Sequence, residues 1–216
     1  MAASGNSRSI RVLGVDPAAA GPTGYGVIES DGRKCRSLHY GALQVRDKLR
    51  KDSAGAALEA VHSMICRLLR EFSPDALAVE SIFSALNVKT ALRLAEVRGV
   101  VLLAAAQHGV EVHSYAPRLI KASVAGYGNA DKRQLQRMVQ SVLGLAEVPE
   151  PVDAADALAV ALCHLQSEEF RQRFAIPLIS SGSARRGRAA ALSVAAVPRP
   201  TTAVRSSAAR QAAPSQ

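Results

Sequence analysis

Ile10-Arg-Val-Leu-Gly-Val-Asp16-Pro17 is the segment from which the rest of this chain is read. A continuous apolar run of that length fits a strand covered on both faces, and here it closes on a carboxylate. Two more strand-like segments follow, Thr23-Gly-Tyr-Gly-Val-Ile-Glu29 and Cys35–Val45, flanking the turn dipeptide of Ser30-Asp-Gly32. The three segments predict a β-meander.

Helical spacing takes over at Ser53–Phe72, where Leu58, Val61, Ile65, Leu68 and Leu69 form one stripe and Pro74 stops the run. Ala76-Leu-Ala-Val-Glu80 predicts a fourth strand, again closed by a carboxylate, and Asn87–His108 a helix of about 33 Å. Its second half, Val100-Val-Leu-Leu-Ala-Ala-Ala106, is apolar all round. One sheet face cannot cover every side of a helix, so it is either sandwiched or meets a second subunit. Val110–Tyr115 reads as a fifth strand, followed by helices near Pro117–Val124, Asp131–Leu143 and Asp153–Ser167. The order predicts an α/β fold, a five-stranded mixed sheet with helices on both faces.

The 216 residues suit one such domain. Residues 1–9 read as a disordered start, 10–168 as the folded domain and 169–216 as a disordered tail rich in Arg, Ala, Ser and Pro. The net charge of +9 divides unevenly: residues 1–170 hold 19 basic and 18 acidic side chains, whereas 171–216 hold eight Arg and no acid. A nucleic-acid argument must therefore rest on clustering within the domain rather than on the overall charge. No apolar run reaches membrane-span length and no signal-peptide core follows Met1. Three scattered cysteines (Cys35, Cys66, Cys163) fit small buried groups in a reducing cytoplasm.

Asp153 and Asp156 punctuate the apolar stretch Val152-Asp-Ala-Ala-Asp-Ala-Leu-Ala-Val160, with no Lys or Arg within ten residues of either. Burying an unpartnered carboxylate costs several kcal/mol. Three residues apart on a helix, the two face nearly the same way, and the alanines between leave room for a sheet to approach. If the strands ending in Asp16 and Glu80 are parallel neighbours, all four acids converge where open α/β sheets usually bind ligands. Oxygen donors without His or Cys suit Mg²⁺ or Mn²⁺ and phosphoryl-transfer chemistry with two ions. Separately, each acid has a plainer role: Asp153 as helix N-cap, Asp156 as its dipole partner, Asp16 as a turn opener before Pro17, Glu80 as a loop start.

Leu13-Gly-Val-Asp-Pro17, Thr23-Gly-Tyr-Gly-Val27, Ala78-Val-Glu80 with Phe83 and Asn87, Gly126-Tyr-Gly-Asn-Ala-Asp-Lys132 and Asp153-Ala-Ala-Asp-Ala-Leu-Ala159 occur in that order. In this the chain resembles the bacterial Holliday junction resolvases of the RuvC type, in the ribonuclease-H-like superfamily. The resemblance spans roughly residues 10–166. It implies a homodimer that binds four-way junction DNA and nicks two strands of like polarity symmetrically, in recombination and repair. Its implied partner is a branch-migration complex of a junction-binding tetramer and a hexameric motor. Asp16, Glu80, Asp153 and Asp156 match the family's metal-binding acids, implying two Mg²⁺ per subunit, with Mn²⁺ as a substitute. One departure follows Asp16: Pro-Ala-Ala-Ala-Gly-Pro precedes Thr23, where the family has Asp-Pro-Gly and a shorter spacer.

DNA contacts are expected at Arg118, Lys121, Lys132 and Arg133, of which Lys121 and Lys132 match DNA-contacting lysines of the family; a solvated helix face is the plain alternative. Gly126-Tyr-Gly128 would let the backbone approach phosphate, and the helix near Asp131 would offer its amides. Phe83 either stacks on bases at the crossover or packs in the core. Tyr25 reads as structural, and His164, about 12 Å along the helix from Asp156, as a surface or packing residue. The eight tail arginines either add salt-sensitive DNA affinity or have no role. Three other readings compete. A non-catalytic junction- or RNA-binding module would use the acids only as caps and turns. An actin-like ATPase needs a second half that about 160 residues cannot supply, and a glycosidase leaves two acids unexplained.

Overall fold

The computed structural model describes residues 9–19, 21–44, 54–81 and 87–174. Strands β1 (Ile10–Asp16), β2 (Thr23–Ser30) and β3 (Cys35–Leu43) form the meander, followed by α1 (Ala54–Phe72), β4 (Ala76–Glu80), α2 (Val88–Gln107) and β5 (Glu111–Tyr115). Three helices complete the order: α3 (Pro117–Ala125), α4 (Lys132–Leu143) and α5 (Val152–Phe174). The sheet runs β3-β2-β1-β4-β5, antiparallel through the meander and parallel from β1 to β4 to β5. A mixed sheet with helices on both faces is thus observed as expected.

Alternation along the strands sorts the core into two layers. Leu13, Val15, Val27, Leu77 and Val79 point to one face, where Val61, Ile65, Leu68 and Leu69 of α1 and Val101, Ala104 and Ala105 of α2 cover them. Val12, Ile28, Ala78 and Tyr115 point to the other, against α3, α4 and the apolar length of α5. On that second face the backbones almost touch. A Cβ built on Gly14 would lie 2.1 Å from the Ala157 carbonyl oxygen, and one on Gly24 would lie 1.9 Å from that of Asp153. A glycine track on β1 and β2 opposite the alanine-rich side of α5 lets the helix lie directly on the strands.

Helix ends follow local chemistry. Asn87 caps α2 by accepting from the Thr90 amide at 2.9 Å. Gly126 (φ +85°) and Gly144 (φ +62°) take the left-handed conformation that closes α3 and α4. The last helix runs seven residues past its expected end at Ser167. Ser167 bonds back to the Cys163 carbonyl at 2.7 Å and Arg171 pairs with Glu168 at 2.6 Å, so polar residues continue the helix after its apolar stripe ends. Cys35, Cys66 and Cys163 are free thiols. Among the described residues, no helix is long and apolar enough to cross a membrane. The expectations for residues 1–8, for Phe83 and for the tail arginines beyond Arg173 lie outside the described residues.

The outer side of α2 carries Val88, Leu92, Leu102 and Leu103 exposed. Of the two alternatives for this helix, burial on all sides within one chain does not hold.

Candidate metal and nucleic-acid site

Asp16 and Glu80 reach one place because of strand register. Val15 pairs with Val79 in the parallel β1–β4 ladder, so the next residue of each strand stands at the same carboxyl edge of the sheet. Both keep the parity of Gly14 and Ala78, the face on which α5 lies. Asp156, one turn into that helix, completes the convergence. Asp16, Glu80 and Asp156 line a cavity of about 270 Å³ together with Lys121 and Lys132, with Ile120 and Leu135 among its apolar wall.

Asp153 does not line the cavity, but its charge acts on both Asp16 and Asp156. It is also not the helix cap. The Pro151 carbonyl accepts from the amides of Ala154 (2.9 Å) and Ala155 (3.4 Å), which places Asp153 inside the first turn.

The cluster carries more negative charge than it neutralises. Burial, followed by the charges of Glu80, Asp156 and Asp153, holds the Asp16 carboxyl well above the usual carboxylate range. Glu80 and Asp156 are raised as well, burial again leading. Lys132 opposes all three shifts from a position 3.5 Å from Asp156 Oδ2, and Lys121 opposes those of Glu80 and Asp156. The absence of basic residues near Asp156 along the chain therefore misleads, since a lysine 24 positions away reaches it through the α4–α5 packing. Four acids against two lysines still leave a deficit that hard, oxygen-seeking divalent cations fit.

The basic residues sit on two neighbouring helices. Lys121 is half-buried on α3 and Lys132 opens α4, whereas Arg118 and Arg133 are exposed on the same two helices outside the cavity. The loop between them is shaped locally. Gly126 is needed as the left-handed cap of α3, its amide bonding to the Ala122 carbonyl. At α4, Asp131 accepts from the Gln134 amide at 2.8 Å and Gln134 returns a bond to the Asp131 amide at 3.1 Å. This capping box occupies two of the amides expected to face phosphate. Tyr127 is exposed, with its hydroxyl bonded to the Gln134 side chain. Tyr25 packs against His39, 3.3 Å from its Nε2, on the opposite sheet face from the acids, in keeping with a structural role.

His164 is buried, its Nδ1 2.8 Å from the Tyr115 hydroxyl, so the packing alternative holds and the surface one does not. Burial, then the neighbouring His113, pushes its pKa down to about 4. Sequence reading passed over His113 and Glu168, yet one ligand atom from each of His113, His164 and Glu168 falls within 4.8 Å of the others. The only signal along the chain was the four-residue spacing of His164 and Glu168 on one helix face.

A sequence model of the family described as "Crossover junction endodeoxyribonuclease RuvC" matches residues 12–164. A protein so named from Caldicellulosiruptor saccharolyticus is 43% identical over 159 residues, 73% of this chain and 93% of its own. One from Chloroflexus aggregans is 44% identical over 167 residues, 77% and 99% of the two chains. Among solved structures, Thermus thermophilus RuvC in complex with a Holliday junction substrate aligns with a TM-score of 0.69 at 34% identity, covering 74% of this chain and 96% of that one. The yeast mitochondrial Holliday junction resolvase Ydc2 aligns at 0.57 over 79% and 84% of the two chains; at 14% identity it shares the fold.

Proposed function

The chain belongs to the RuvC family of crossover junction endodeoxyribonucleases, a ribonuclease-H-like nuclease fold, and we propose that the acids at the carboxyl edge of β1 and β4 are its cutting centre. Its function is to resolve Holliday junctions by metal-dependent nicking in recombination and repair. One observation supports the location above all others: Asp16, Glu80 and Asp156, brought from two strands and a helix, line one cavity with two lysines.

The donor set fits the implied metal, because every candidate ligand is a carboxylate and the cluster's raised pKa values mark it as short of positive charge. Asp16, Glu80, Asp153 and Asp156 would hold Mg²⁺, two ions per subunit, with Mn²⁺ as a substitute. Bound there, the metal supplies an activated water and charge stabilisation for the leaving 3′ oxygen. The protein contributes positioning: strand register fixes Asp16 and Glu80, and the glycine track fixes α5 against them. Lys121 and Lys132 face the scissile phosphate, Arg118 and Arg133 contact the backbone on either side, and Phe83 meets bases at the crossover.

The exposed apolar side of α2 supports a homodimer, the arrangement that two symmetric nicks require. The 10–168 segment, continued to the end of α5, is the nuclease domain. The arginines beyond it add salt-sensitive affinity for DNA, so truncation after Phe174 lowers the salt dependence of junction binding. The enzyme works in the cytoplasm beside a branch-migration tetramer and its hexameric motor.

The direct test incubates the purified protein with a synthetic four-way junction and a matched duplex, with and without Mg²⁺. Paired symmetric nicks are expected in the junction alone and only with metal. Asp16→Asn and Glu80→Gln lower cleavage by about a hundredfold or more while junction affinity stays within a few-fold. Tight junction binding with no nicking under Mg²⁺ or Mn²⁺ establishes instead a non-catalytic junction- or RNA-binding module.

A further inference from the structure

Twelve ångströms along α5 from Asp156, by about eight residues of helical rise, lies a second convergence of metal-ligating groups that the nuclease reading leaves without a role. His113 comes from the middle of β5, and His164 and Glu168 from successive turns of α5 facing it. One ligand atom from each lies within 4.8 Å of the other two. We propose that His113, His164 and Glu168 bind a divalent transition metal of the zinc type, at a site separate from the acid cluster and independent of the nuclease reading.

Three features of the surroundings support a ligand site over ordinary packing. The first is the donor set: two imidazoles and one carboxylate suit zinc and its neighbours, whereas the all-carboxylate cluster suits magnesium. The second is orientation. The Tyr115 hydroxyl engages His164 Nδ1 at 2.8 Å and leaves Nε2 as the nitrogen open to a ligand. Metal-bound histidines are held by such a bond on their other ring nitrogen. Arg171 likewise orients Glu168 from 2.6 Å through Oε1.

The third feature is the approach of a further donor. Glu111, mostly exposed, places Oε1 3.6 Å from His113 Nε2, near enough to complete a fourth position or to steady the ring. The His113 and His164 rings are also close, tilted 38° to each other with centres 4.5 Å apart, so little movement of either ring is needed. Tetrahedral zinc with bonds of about 2.0–2.1 Å sets its ligands about 3.4 Å apart. Closing the present spread is a matter of side-chain rotation on two rigid elements. Occupied, the site ties the polar end of α5 to β5, an edge strand of the sheet.

The experiment uses the full chain, stripped with a chelator, dialysed and then loaded with Zn²⁺ in excess Mg²⁺ so that the acid cluster is already satisfied. One zinc per chain is expected to remain after gel filtration, and Co²⁺ in its place gives the intense visible absorption of a four- or five-coordinate site. His113→Ala, at a half-buried strand position, weakens zinc binding by about tenfold or more with an unchanged circular dichroism spectrum. Glu168→Gln gives a similar loss. Asp16→Asn leaves zinc binding intact, as does His62→Ala, which removes a closely placed His/Cys pair elsewhere, His62 with Cys66. Three results overturn the proposal: no retained zinc, equal affinity in His113→Ala, or loss of zinc in Asp16→Asn, which places the ion in the acid cluster.

Discussion

The two ends of β1 treat a carboxylate in opposite ways. At the start of the strand, opposite Arg11, Glu29 is nearly buried but held by Arg11 Nε at 2.8 Å and Arg36 Nη2 at 2.5 Å. Those hydrogen bonds, Arg11's first and then Arg36's, hold its carboxyl below the usual range. At the other end Asp16 has three acids for neighbours and a carboxyl pushed far up. The same pair of strands therefore contains one acid the fold has settled and one it has left unsettled. An acid paired by its own chain serves the structure, and an acid denied a partner is available to something that arrives from outside.

That contrast can be tested, and the largest effect should come from the packing that enforces it. Gly14→Ala puts a methyl where the Ala157 carbonyl lies 2.1 Å away. It should cost about 3 kcal/mol, the upper end of overpacking, in urea unfolding, and remove metal-dependent cleavage with it. Near-normal stability and cleavage in this variant would show that α5 can lift off the strands without disturbing the acids.

A smaller loss is expected for Glu29→Gln, which removes the carboxylate charge shared by two guanidinium groups and lowers Tm by several degrees at neutral pH. The sign follows from the depressed pKa. The contribution of Glu29 is present above the ordinary glutamate value and disappears as pH falls through the folded one, so parent and variant converge in acid. Cleavage rates measured below the melting range should match the parent's. A Tm gap that widened on acidification would contradict the pairing.

The smallest effect, and of opposite sign, belongs to Asp16→Asn in metal-free protein. Because the folded pKa is raised, the parent is relieved at low pH and strained as pH rises past the ordinary aspartate range. The variant should melt a few degrees higher at neutral pH and at the same temperature in acid. Adding Mg²⁺ should close the neutral gap by stabilising the parent alone. A variant that melts lower than metal-free parent at neutral pH would mean Asp16 is satisfied by the fold after all.

Much of this was legible along the chain because it depends on local pattern. Apolar runs ended at Asp16 and Glu80, the helical stripe of α1 was regular, and the starts of α2 and α4 fell within a residue of Asn87 and Asp131. Relations across the sheet were less accessible. Lys132 meets Asp156 only because α4 lies beside α5, and no local spacing records that. The His113 parity on β5 becomes meaningful only once β5 is seen under α5. The end of α5 lies beyond the expected Ser167 for a different reason: after Leu165 the helix is held by polar contacts such as Glu168 with Arg171, which leave no hydrophobic period to follow.

The near contact of α5 with β1 and β2 has one more consequence. Because the spacing between the strand-borne and helix-borne acids is dictated by main chain resting on main chain, it does not depend on which large side chains fill the opposite sheet face. That face can drift, be redesigned or be fused to another module while the geometry of the acid cluster is inherited unchanged.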